Sequence, residues 1–282
     1  MKTLLTLGHG YCAQALADVL LPQGWQVIGT ARNTARAAEL AAAGIEPLHY
    51  PCDLAPALAR ASHILISAAP DAQGDVFLAQ AGDALRASRP DWVGYLSTTA
   101  VYGDHGGAWV DETTPPRPNS ARAAARVLAE SQWLDTGLPV HIFRLAGIYG
   151  PGRGPFEKIR DGSARQIIKK NQVFSRTHVE DIAQVLATSI ARPAPREIYN
   201  VCDDNPAPPE EVLCYAADLL GMPHPVRIDY ETAVLPEMVR SFYAESKRVS
   251  NAKIKSVLGV QLRHPTYQAG LQALLKSSPA PR

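Results

Sequence analysis

The chain has 282 residues, of which 46% are hydrophobic and 20% charged, and its formal net charge is +1 at pH 7. This length suits one large or two small domains with a substantial core, and the near-zero charge gives no reason to expect nucleic acid or an anionic membrane as a partner. The sequence shows neither a signal-peptide pattern nor an apolar run of the roughly 20 residues that span a membrane, so we expect a cytoplasmic protein.

The cysteines bear on metal and redox chemistry. There are four of them, Cys12, Cys52, Cys202 and Cys214, and no two form a C-x-x-C motif. A zinc site and a dithiol redox motif are therefore not indicated, and we expect no metal. Free and mostly buried thiols suit a reducing compartment.

The first predicted element is a strand that ends in a glycine turn. The apolar run 3–7 is followed by Gly8-His9-Gly10-Tyr11-Cys12-Ala13 and an alanine-rich helical pattern. The first glycine permits a sharp turn, the second lets the backbone approach a pyrophosphate, and Ala13 keeps the helix close to the sheet. The helix N-terminus offers free N–H groups to phosphates. This pattern is typical of a dinucleotide-binding βαβ unit.

The second predicted strand, 25–29, is followed by Thr30, Ala31 and Arg32. An NAD-specific site carries an acidic residue here that holds the ribose 2′-hydroxyl, and this chain has none. An arginine can instead form paired hydrogen bonds with a 2′-phosphate, although a solvated arginine at a strand end is the plainer interpretation. With the glycine turn upstream, the pattern favours NADP, and NAD stays possible.

Strand and helix patterns then alternate through the first half of the chain. Further strands are predicted at 45–49, 63–67, 92–96 and 140–143, and helices at 33–43, 75–88 and 121–135. The continuous apolar run 63–67 is typical of a strand buried on both faces of a parallel sheet. Repeated βα units predict an α/β fold, a Rossmann-type doubly wound parallel sheet with helices on both faces.

The second half is less regular and carries two clusters of proline and glycine, at 150–155 and 204–209. Helices are predicted at 179–190, 210–220 and 266–275, and a short strand at 197–201. We expect a dinucleotide-binding domain over 1–150, to which 177–202 return, and a smaller C-terminal substrate lobe over 151–282 that closes a cleft above the cofactor. The tail 279–282 is expected to be frayed.

Four segments resemble the extended short-chain dehydrogenase/reductase family, which includes NAD-dependent epimerases and dehydratases. They are Leu96-Ser97-Thr98-Thr99-Ala100-Val101-Tyr102-Gly103, Arg144-Leu145-Ala146-Gly147-Ile148-Tyr149-Gly150-Pro151-Gly152-Arg153, Thr177-His178-Val179-Glu180-Asp181-Ile182-Ala183 and Ile198-Tyr199-Asn200-Val201. They occur in the family's order, and together with the glycine turn at 8–13 the resemblance spans residues 8–201.

The resemblance implies positions for the cofactor and for one catalytic group. Cofactor contacts are implied at Gly8, His9, Gly10, Tyr11, Cys12, Ala13, Thr30, Arg32, Asp53, Leu54, Ser67, Ala68, Ala69, Ser97 and Arg126. Asp53 and Leu54 would lie beside the adenine. Thr98 matches the family's catalytic serine or threonine, which hydrogen-bonds the reacting oxygen of the substrate.

The family's catalytic Y-x-x-x-K dyad is missing. Aligned on the downstream Leu128-Ala129-Glu130, the tyrosine position holds Arg122 and the lysine position holds Arg126. Arg126 could still hold ribose hydroxyls, but a guanidinium does not deprotonate in a protein, so Arg122 is no proton shuttle. Gly147 also replaces an asparagine that contacts substrate in many sugar-nucleotide enzymes. The chain resembles the atypical branch of the family.

Two functions follow as hypotheses. The first is an NADP-dependent oxidoreductase that acts on a small carbonyl or sugar-nucleotide-like substrate, with Tyr102 or Tyr149 as a substitute acid, although packing roles are the alternative for both tyrosines. His178 could titrate near neutral pH, but a helix-entry role with Asp181 as companion is preferred. The second hypothesis is a non-catalytic NADP-binding sensor or regulator.

The partner expected in either case is a small molecule. Members of the family often pair through two helices, which correspond here to 75–88 and 121–135. A homodimer is therefore an expectation from the resemblance.

Overall fold

A seven-stranded parallel sheet forms the centre of the molecule. The computed structural model describes residues 2–277. The strands are β1 (Thr3–Leu7), β2 (Gln26–Ala31), β3 (Glu46–His49), β4 (His63–Ile66), β5 (Trp92–Thr98), β6 (Trp109–Val110), β7 (Val140–Leu145), β8 (Gly147–Tyr149), β9 (Arg165–Ile168), β10 (Arg176–His178), β11 (Ile198–Val201), β12 (Val226–Asp229) and β13 (Arg248–Val249). The central sheet has the order β11-β7-β5-β4-β1-β2-β3, and every pair in it is parallel.

Helices cover both faces of this sheet. The helices of the described residues are α1 (Tyr11–Leu20), α2 (Thr34–Ala42), α3 (Ala55–Leu58), α4 (Val76–Ala87), α5 (Ala121–Leu134), α6 (Phe156–Arg160), α7 (Val179–Ala191), α8 (Pro209–Leu220), α9 (Glu237–Tyr243), α10 (Ala252–Ser256) and α11 (Tyr267–Ser277). Helices α1, α2 and α7 pack on one face, and α3, α4 and α5 on the other. Successive side chains of a strand point to opposite faces. Leu4 accordingly packs in a core shared with α1 and α7, whereas Leu5 packs in a second core shared with α4 and α5. The predicted α/β doubly wound fold is confirmed.

The C-terminal part of the chain builds a third core. Apolar side chains of α6, α8 and α11, among them Phe156, Val212 and Leu271, pack together around Tyr149. Two small parallel pairings, β8 with β10 and β9 with β12, accompany this core. Segment 177–202 lies with the central sheet, because α7 packs against α1 and β11 is the edge strand beside β7.

Residues 248–260 lie outside the C-terminal core. Ile254 and Leu258 of the α10 region pack in the same core as α1 and α7. Strand β13 pairs with β6, which places the segment around residue 248 against the loop that follows β5. The short elements that were not anticipated from the sequence are β6, β8, β9, β10, β12, β13, α3, α6, α9 and α10.

The long predicted elements lie within about two residues of their observed bounds, as is usual at frayed ends. The second strand begins one residue later than predicted and runs on to Ala31. The tail 279–282, predicted to be frayed, lies outside the described residues. None of the helices found between residues 2 and 277 combines the length and the apolar character that crossing a bilayer requires.

Candidate cofactor and active site

The turn after β1 is held by its neighbours in the sheet. Gly8 has φ +87, and a Cβ at this position would lie 2.7 Å from the backbone nitrogen of Ala68. The Gly8 N–H donates to Thr30 Oγ1 at 2.7 Å, while the carbonyl of Leu7 accepts from the N–H groups of Ser67 and Ala68. A larger residue at position 8 would be strained and would also collide with backbone, so the turn requires glycine.

Helix α1 begins at this turn with its first amides free of side-chain caps. Gly10 is its N-cap, no side chain accepts a cap hydrogen bond there, and no acidic residue occupies the first turn. The nearest atom to a Cβ built on Gly10 would be 3.9 Å away, so the space beside it is open. Uncapped N–H groups and the positive end of the helix dipole fit an anionic pyrophosphate.

Several residues predicted to contact the cofactor at this turn have buried side chains, so only their backbone atoms can reach a ligand. His9 is buried, its Nδ1 lies 2.7 Å from Thr6 Oγ1, and burial lowers the pKa of its ring. Cys12 and Ala13 point into the core. Thr30 is also buried, and its hydroxyl donates to the Thr6 carbonyl at 3.3 Å besides accepting from the turn. The Thr30 side chain supports the glycine turn, whereas the sequence had suggested a direct contact with the cofactor.

Two arginines flank the end of β2. Arg32 is exposed directly after the strand. Arg36, in the first turn of α2, donates from Nη2 to the carbonyl of His9 at 3.3 Å and from Nη1 to Glu39 at 2.7 Å. Asn33 caps this helix by accepting from the Arg36 N–H. Sequence reasoning identified Arg32 and missed Arg36, whose signal was a second basic residue four positions later, one helical turn away.

The predicted adenine end lies at the start of α3. Asp53 Oδ1 accepts from the N–H of Ala55 at 3.0 Å, and Leu54 is buried in the second core. A cavity of about 350 Å³ opens beside these residues and is lined on its other side by α4. The resemblance implies an adenine contact at these two residues, and that contact stays a prediction.

Arg126 joins the ends of two strands. From α5, its Nη1 donates to the carbonyl of Leu96 at 2.6 Å and lies 3.4 Å from the carbonyl of Ala68 and 3.3 Å from the hydroxyl of Tyr95. Ser67, Ala68 and Ala69, which follow β4, are half-buried or exposed at this edge. The structure thus brings Arg126 to the segment that the resemblance assigns to the cofactor. Its Nη1 is already engaged in hydrogen bonds with the protein.

Ser97 and Tyr102 belong to a buried polar network. Ser97 Oγ donates to Glu130 at 2.5 Å, Glu130 accepts from Arg144, and Arg144 donates to the hydroxyl of Tyr102 at 3.0 Å. That hydroxyl donates in turn to Asn200 at 2.8 Å. Tyr102 is fully buried, and burial raises the pKa of its phenol. The structure therefore does not bring Tyr102 to the cleft, because its hydroxyl is buried and bonded to Arg144 of β7 and Asn200 of β11.

Thr98 occupies a different environment at the end of β5. Its side chain is half-buried, and its oxygen accepts from the N–H of Ala100 at 3.2 Å. No acceptor for the Thr98 hydroxyl proton is found among residues 2–277. The proton can therefore point to a ligand at the carboxyl edge of the sheet, which is where ligands bind in such folds.

Tyr149 points away from this edge. Its ring packs with α6, α8 and α11 in the third core, and burial raises the pKa of its hydroxyl. It contacts Gly270 so closely that a Cβ there would lie 2.0 Å from the tyrosine oxygen. Tyr149 thus faces the C-terminal lobe, in contrast to the cleft position expected from its place after a strand.

Arg122, at the position of the family's tyrosine, is exposed on the first turn of α5. Gly147, at the asparagine position, is exposed at the start of β8, where a Cβ would lie 3.4 Å from the carbonyl of Ser175. Neither residue brings a hydroxyl, imidazole or carboxyl group to the position implied for the family's proton donor.

A histidine cluster near the start of α7 was not anticipated, since only cysteines were considered as metal ligands. His178, Glu180 and His264 place potential ligand atoms within 4.8 Å of one another. His178 Nδ1 accepts from the Glu180 N–H at 3.3 Å, and burial lowers the pKa of the ring to about 4. The neutral ring then carries its proton on Nε2, the only nitrogen left for a metal, so this tautomer opposes ligation. His178 acts as a helix cap, as preferred from the sequence.

Asp181 has a separate partner. It accepts from the backbone N–H groups of Arg263 and His264, at 2.6 Å and 3.2 Å. These hydrogen bonds hold the segment that precedes α11 against the start of α7.

Comparison with known proteins places this geometry in a family. Residues 76–202 match the model of the NAD dependent epimerase/dehydratase family. The chain is 33% identical over 244 residues to Protein YeeZ of Escherichia coli K12, covering 80% of this chain and 86% of that protein. The chain belongs to the NAD-dependent epimerase/dehydratase family. The resemblance recognised in the four sequence motifs is confirmed.

Solved structures agree with this membership. A functionally unknown conserved protein from Silicibacter pomeroyi superposes on the epimerase/dehydratase-family chain with a TM-score of 0.96, at 56% identity over 99% of both chains. The human epimerase family protein SDR39U1 with NADPH gives a TM-score of 0.79 at 17% identity, over 99% of this chain and 100% of that one. At that identity the likeness shows the fold alone.

A more distant relative carries a reductase name. The 3-diazoavenalumate denitrifying reductase of a Streptomyces species is 27% identical over 182 residues, which is 57% of this chain and 58% of that protein. The match spans a little over half of each chain.

Proposed function

We propose that the protein is an NADP-dependent oxidoreductase acting on a small carbonyl or sugar-nucleotide-like substrate. The observation that carries the proposal is the pair Arg32 and Arg36 beside the glycine turn, where an NAD-specific site has a carboxylate. A 2′-phosphate between two guanidinium groups would gain charge-assisted hydrogen bonds. When bound, the nicotinamide ring of the cofactor donates or accepts a hydride.

The residues present fit such a cofactor along the whole edge of the sheet. The uncapped amides at the start of α1 would hold the pyrophosphate, and the free nitrogens of Arg126 would hold ribose hydroxyls. A reductase name in one relative and NADPH beside one structural neighbour support the same class of chemistry.

Thr98 is the residue proposed to contact the reacting oxygen. Its oxygen is oriented by the N–H of Ala100, so its proton can be donated to a substrate carbonyl and stabilise negative charge there. Tyr102 and Tyr149 are buried away from this point. The proton that completes a reduction is therefore assigned to solvent, since a threonine hydroxyl has no useful acidity near neutral pH.

The cofactor preference is tested by binding. Titration calorimetry with NADPH and NADH compares the wild type with Arg32→Ala and Arg36→Ala. Each substitution is expected to weaken NADPH binding about 10-fold or more and to leave NADH binding unchanged, because a charge-assisted hydrogen bond contributes about 1.5–3 kcal/mol. Arg89→Ala, an exposed arginine before β5 at the opposite end of the sheet, is the matched control. Equal affinity for both cofactors in the wild type would contradict the preference for NADP.

The hydride transfer is tested separately. NADPH carrying deuterium at C4 is incubated with panels of small carbonyl compounds and sugar nucleotides, and label in the product is measured by mass spectrometry. Thr98→Val should lower the rate at least about 10-fold, whereas Thr98→Ser should retain most of it, because the serine keeps the hydroxyl.

A second candidate function is a non-catalytic NADP-binding sensor or regulator. It is favoured by Arg122, whose permanent charge occupies the position of the family's proton donor. Micromolar NADPH binding without label transfer to any panel member would support the sensor and reject the oxidoreductase.

A further inference from the structure

The C-terminal lobe contains a partly open cavity of about 250 Å³ that no step above uses. It lies between β8, β10, α8 and α11, and its wall is mostly apolar, with Pro155, Val212, Leu213 and Leu271 contributing. Ligand cavities usually measure about 300–1,000 Å³, so this one suits a small molecule. Three polar side chains, Arg176, Tyr149 and Tyr267, also line it.

Arg176 brings a positive charge to this wall, and the described part of the chain offers it no ion-pair partner. Its Nη1 donates to the carbonyls of Phe174 and Ala207, at 2.9 Å and 3.1 Å. No carboxylate of residues 2–277 lies within 4.0 Å of the guanidinium, and Nε and Nη2 have no hydrogen-bond acceptor in that part of the chain. A charged group left like this in apolar surroundings is costly, and burial lowers its pKa.

Asp203 is the acidic residue that acts most strongly on Arg176, and it balances the charge only in part. Burial raises the pKa of the Asp203 carboxyl to about 7 despite the neighbouring guanidinium. Its Oδ2 has no hydrogen-bond partner within the described chain. At neutral pH the positive charge of Arg176 is therefore only partly balanced by Asp203.

Tyr149 adds a second unsatisfied donor. Its side chain is buried at 7% exposure, and its hydroxyl has no partner among residues 2–277. Gly270 makes the room for this hydroxyl, since any side chain there would occupy the same space. A buried hydroxyl without a partner is unfavourable, and a polar ligand group at the cavity would supply the missing hydrogen bond.

We propose that this cavity binds a small carboxylate with an apolar body. The carboxylate would accept hydrogen bonds from Arg176 and Tyr149, and the body would pack against Val212, Leu213 and Leu271. Arginine suits a carboxylate because its planar donors match the two oxygens. The site stands apart from the proposed hydride transfer, since it involves none of the residues assigned to the cofactor.

Calorimetry without any nicotinamide cofactor tests this site. The probes are 3-phenylpropionate, 3-phenylpropanol with the same body but no charge, and acetate with the charge but no body. We expect 3-phenylpropionate to bind at least 10-fold more tightly than either of the others. Equal affinity for the acid and the alcohol, or no binding of the acid at about 10 mM, would overturn the proposal.

Variants separate the site from nonspecific binding. Arg176→Met should abolish the preference for the acid and leave binding of the alcohol unchanged, whereas Arg165→Met, an exposed arginine on β9, should change neither. Leu213→Trp should block both probes by filling the cavity while leaving Arg176 in place, so a folding defect in Arg176→Met does not leave the proposal without a test. Acid binding that survives Leu213→Trp would place the ligand elsewhere and reject this cavity.

Discussion

The guanidinium of Arg144 and the carboxylate of Glu130 form an ion pair at 2.7 Å, with side-chain exposures of only 3% and 5%. The pair joins β7 to α5 directly behind the strand end that carries Thr98. A buried pair is stable only when its remaining hydrogen-bonding capacity is satisfied. Ser97 and Tyr102 provide those additional bonds here, so the network fixes the back of the candidate site.

Removing one charge of this pair should destabilise the fold strongly. Glu130→Gln leaves the Arg144 charge buried without a counterion, and we expect a loss of about 3–5 kcal/mol in the free energy of unfolding, measured with urea. The matched control is Glu46→Gln, which breaks the exposed pair between Glu46 and Arg60 and should cost less than about 1 kcal/mol. Similar losses in both variants would mean that the buried network is not specially stabilising.

Asp203 should make stability depend on pH. Its pKa is raised by burial to about 7 from an ordinary value of 3.8, so between these values the folded state holds a proton that the unfolded state has lost. Stability therefore falls as pH rises through this window, by up to about 1.4 kcal/mol per pH unit, and is level above it. Asp203→Asn cannot ionise, so it should gain stability relative to the wild type as pH rises from 4 to 7. An unchanged difference between the two proteins at pH 5 and pH 8 would contradict the raised pKa.

The carboxyl edge of the central sheet could be predicted, because the local sequence pattern indicates the same strand ends and turns that the fold has. Continuous apolar runs identify β1 and β4, and the glycine turn fixes where α1 begins. The position of Thr98 follows from the motif at the end of β5. These features depend on residues close together in the chain, and the sequence therefore carries them directly.

The direction of individual side chains could not be predicted in the same way. Tyr102 and Tyr149 both lie near strand ends. Tyr102 is hydrogen-bonded to Arg144 and Asn200, and the hydroxyl of Tyr149 occupies the space beside Gly270. Each partner lies at least 40 residues away in sequence, so no local spacing reveals it. The cavity at Arg176 was missed for the same reason, because its wall combines four separate elements.

Gly94 should be far less replaceable than Gly154. A Cβ at this position in β5 would lie 2.1 Å from the ring of Trp92, which is fully buried and donates to Ser189. Gly94→Ala should therefore cost about 3 kcal/mol by overpacking, measured by urea unfolding. In Gly154→Ala, the nearest atom to the new Cβ is 3.9 Å away, and we expect a change within about 1 kcal/mol. Equal tolerance of both substitutions would show that Trp92 can move.

The four thiols should differ sharply in reactivity under native conditions. Cys52 is exposed, whereas Cys12 and Cys202 are buried. Burial raises the pKa of the Cys12 thiol to about 11, so only about one thiol in a thousand is ionised there at pH 8, and the thiolate is the reactive form. Pulse labelling with iodoacetamide at pH 8, followed by peptide mass spectrometry, should modify Cys52 first and leave Cys12 and Cys202 protected until denaturant is added. Cys52→Ser should remove the fast-reacting thiol, while labelling of Cys12 as fast as Cys52 in the native protein would mean that the start of α1 opens readily to solvent.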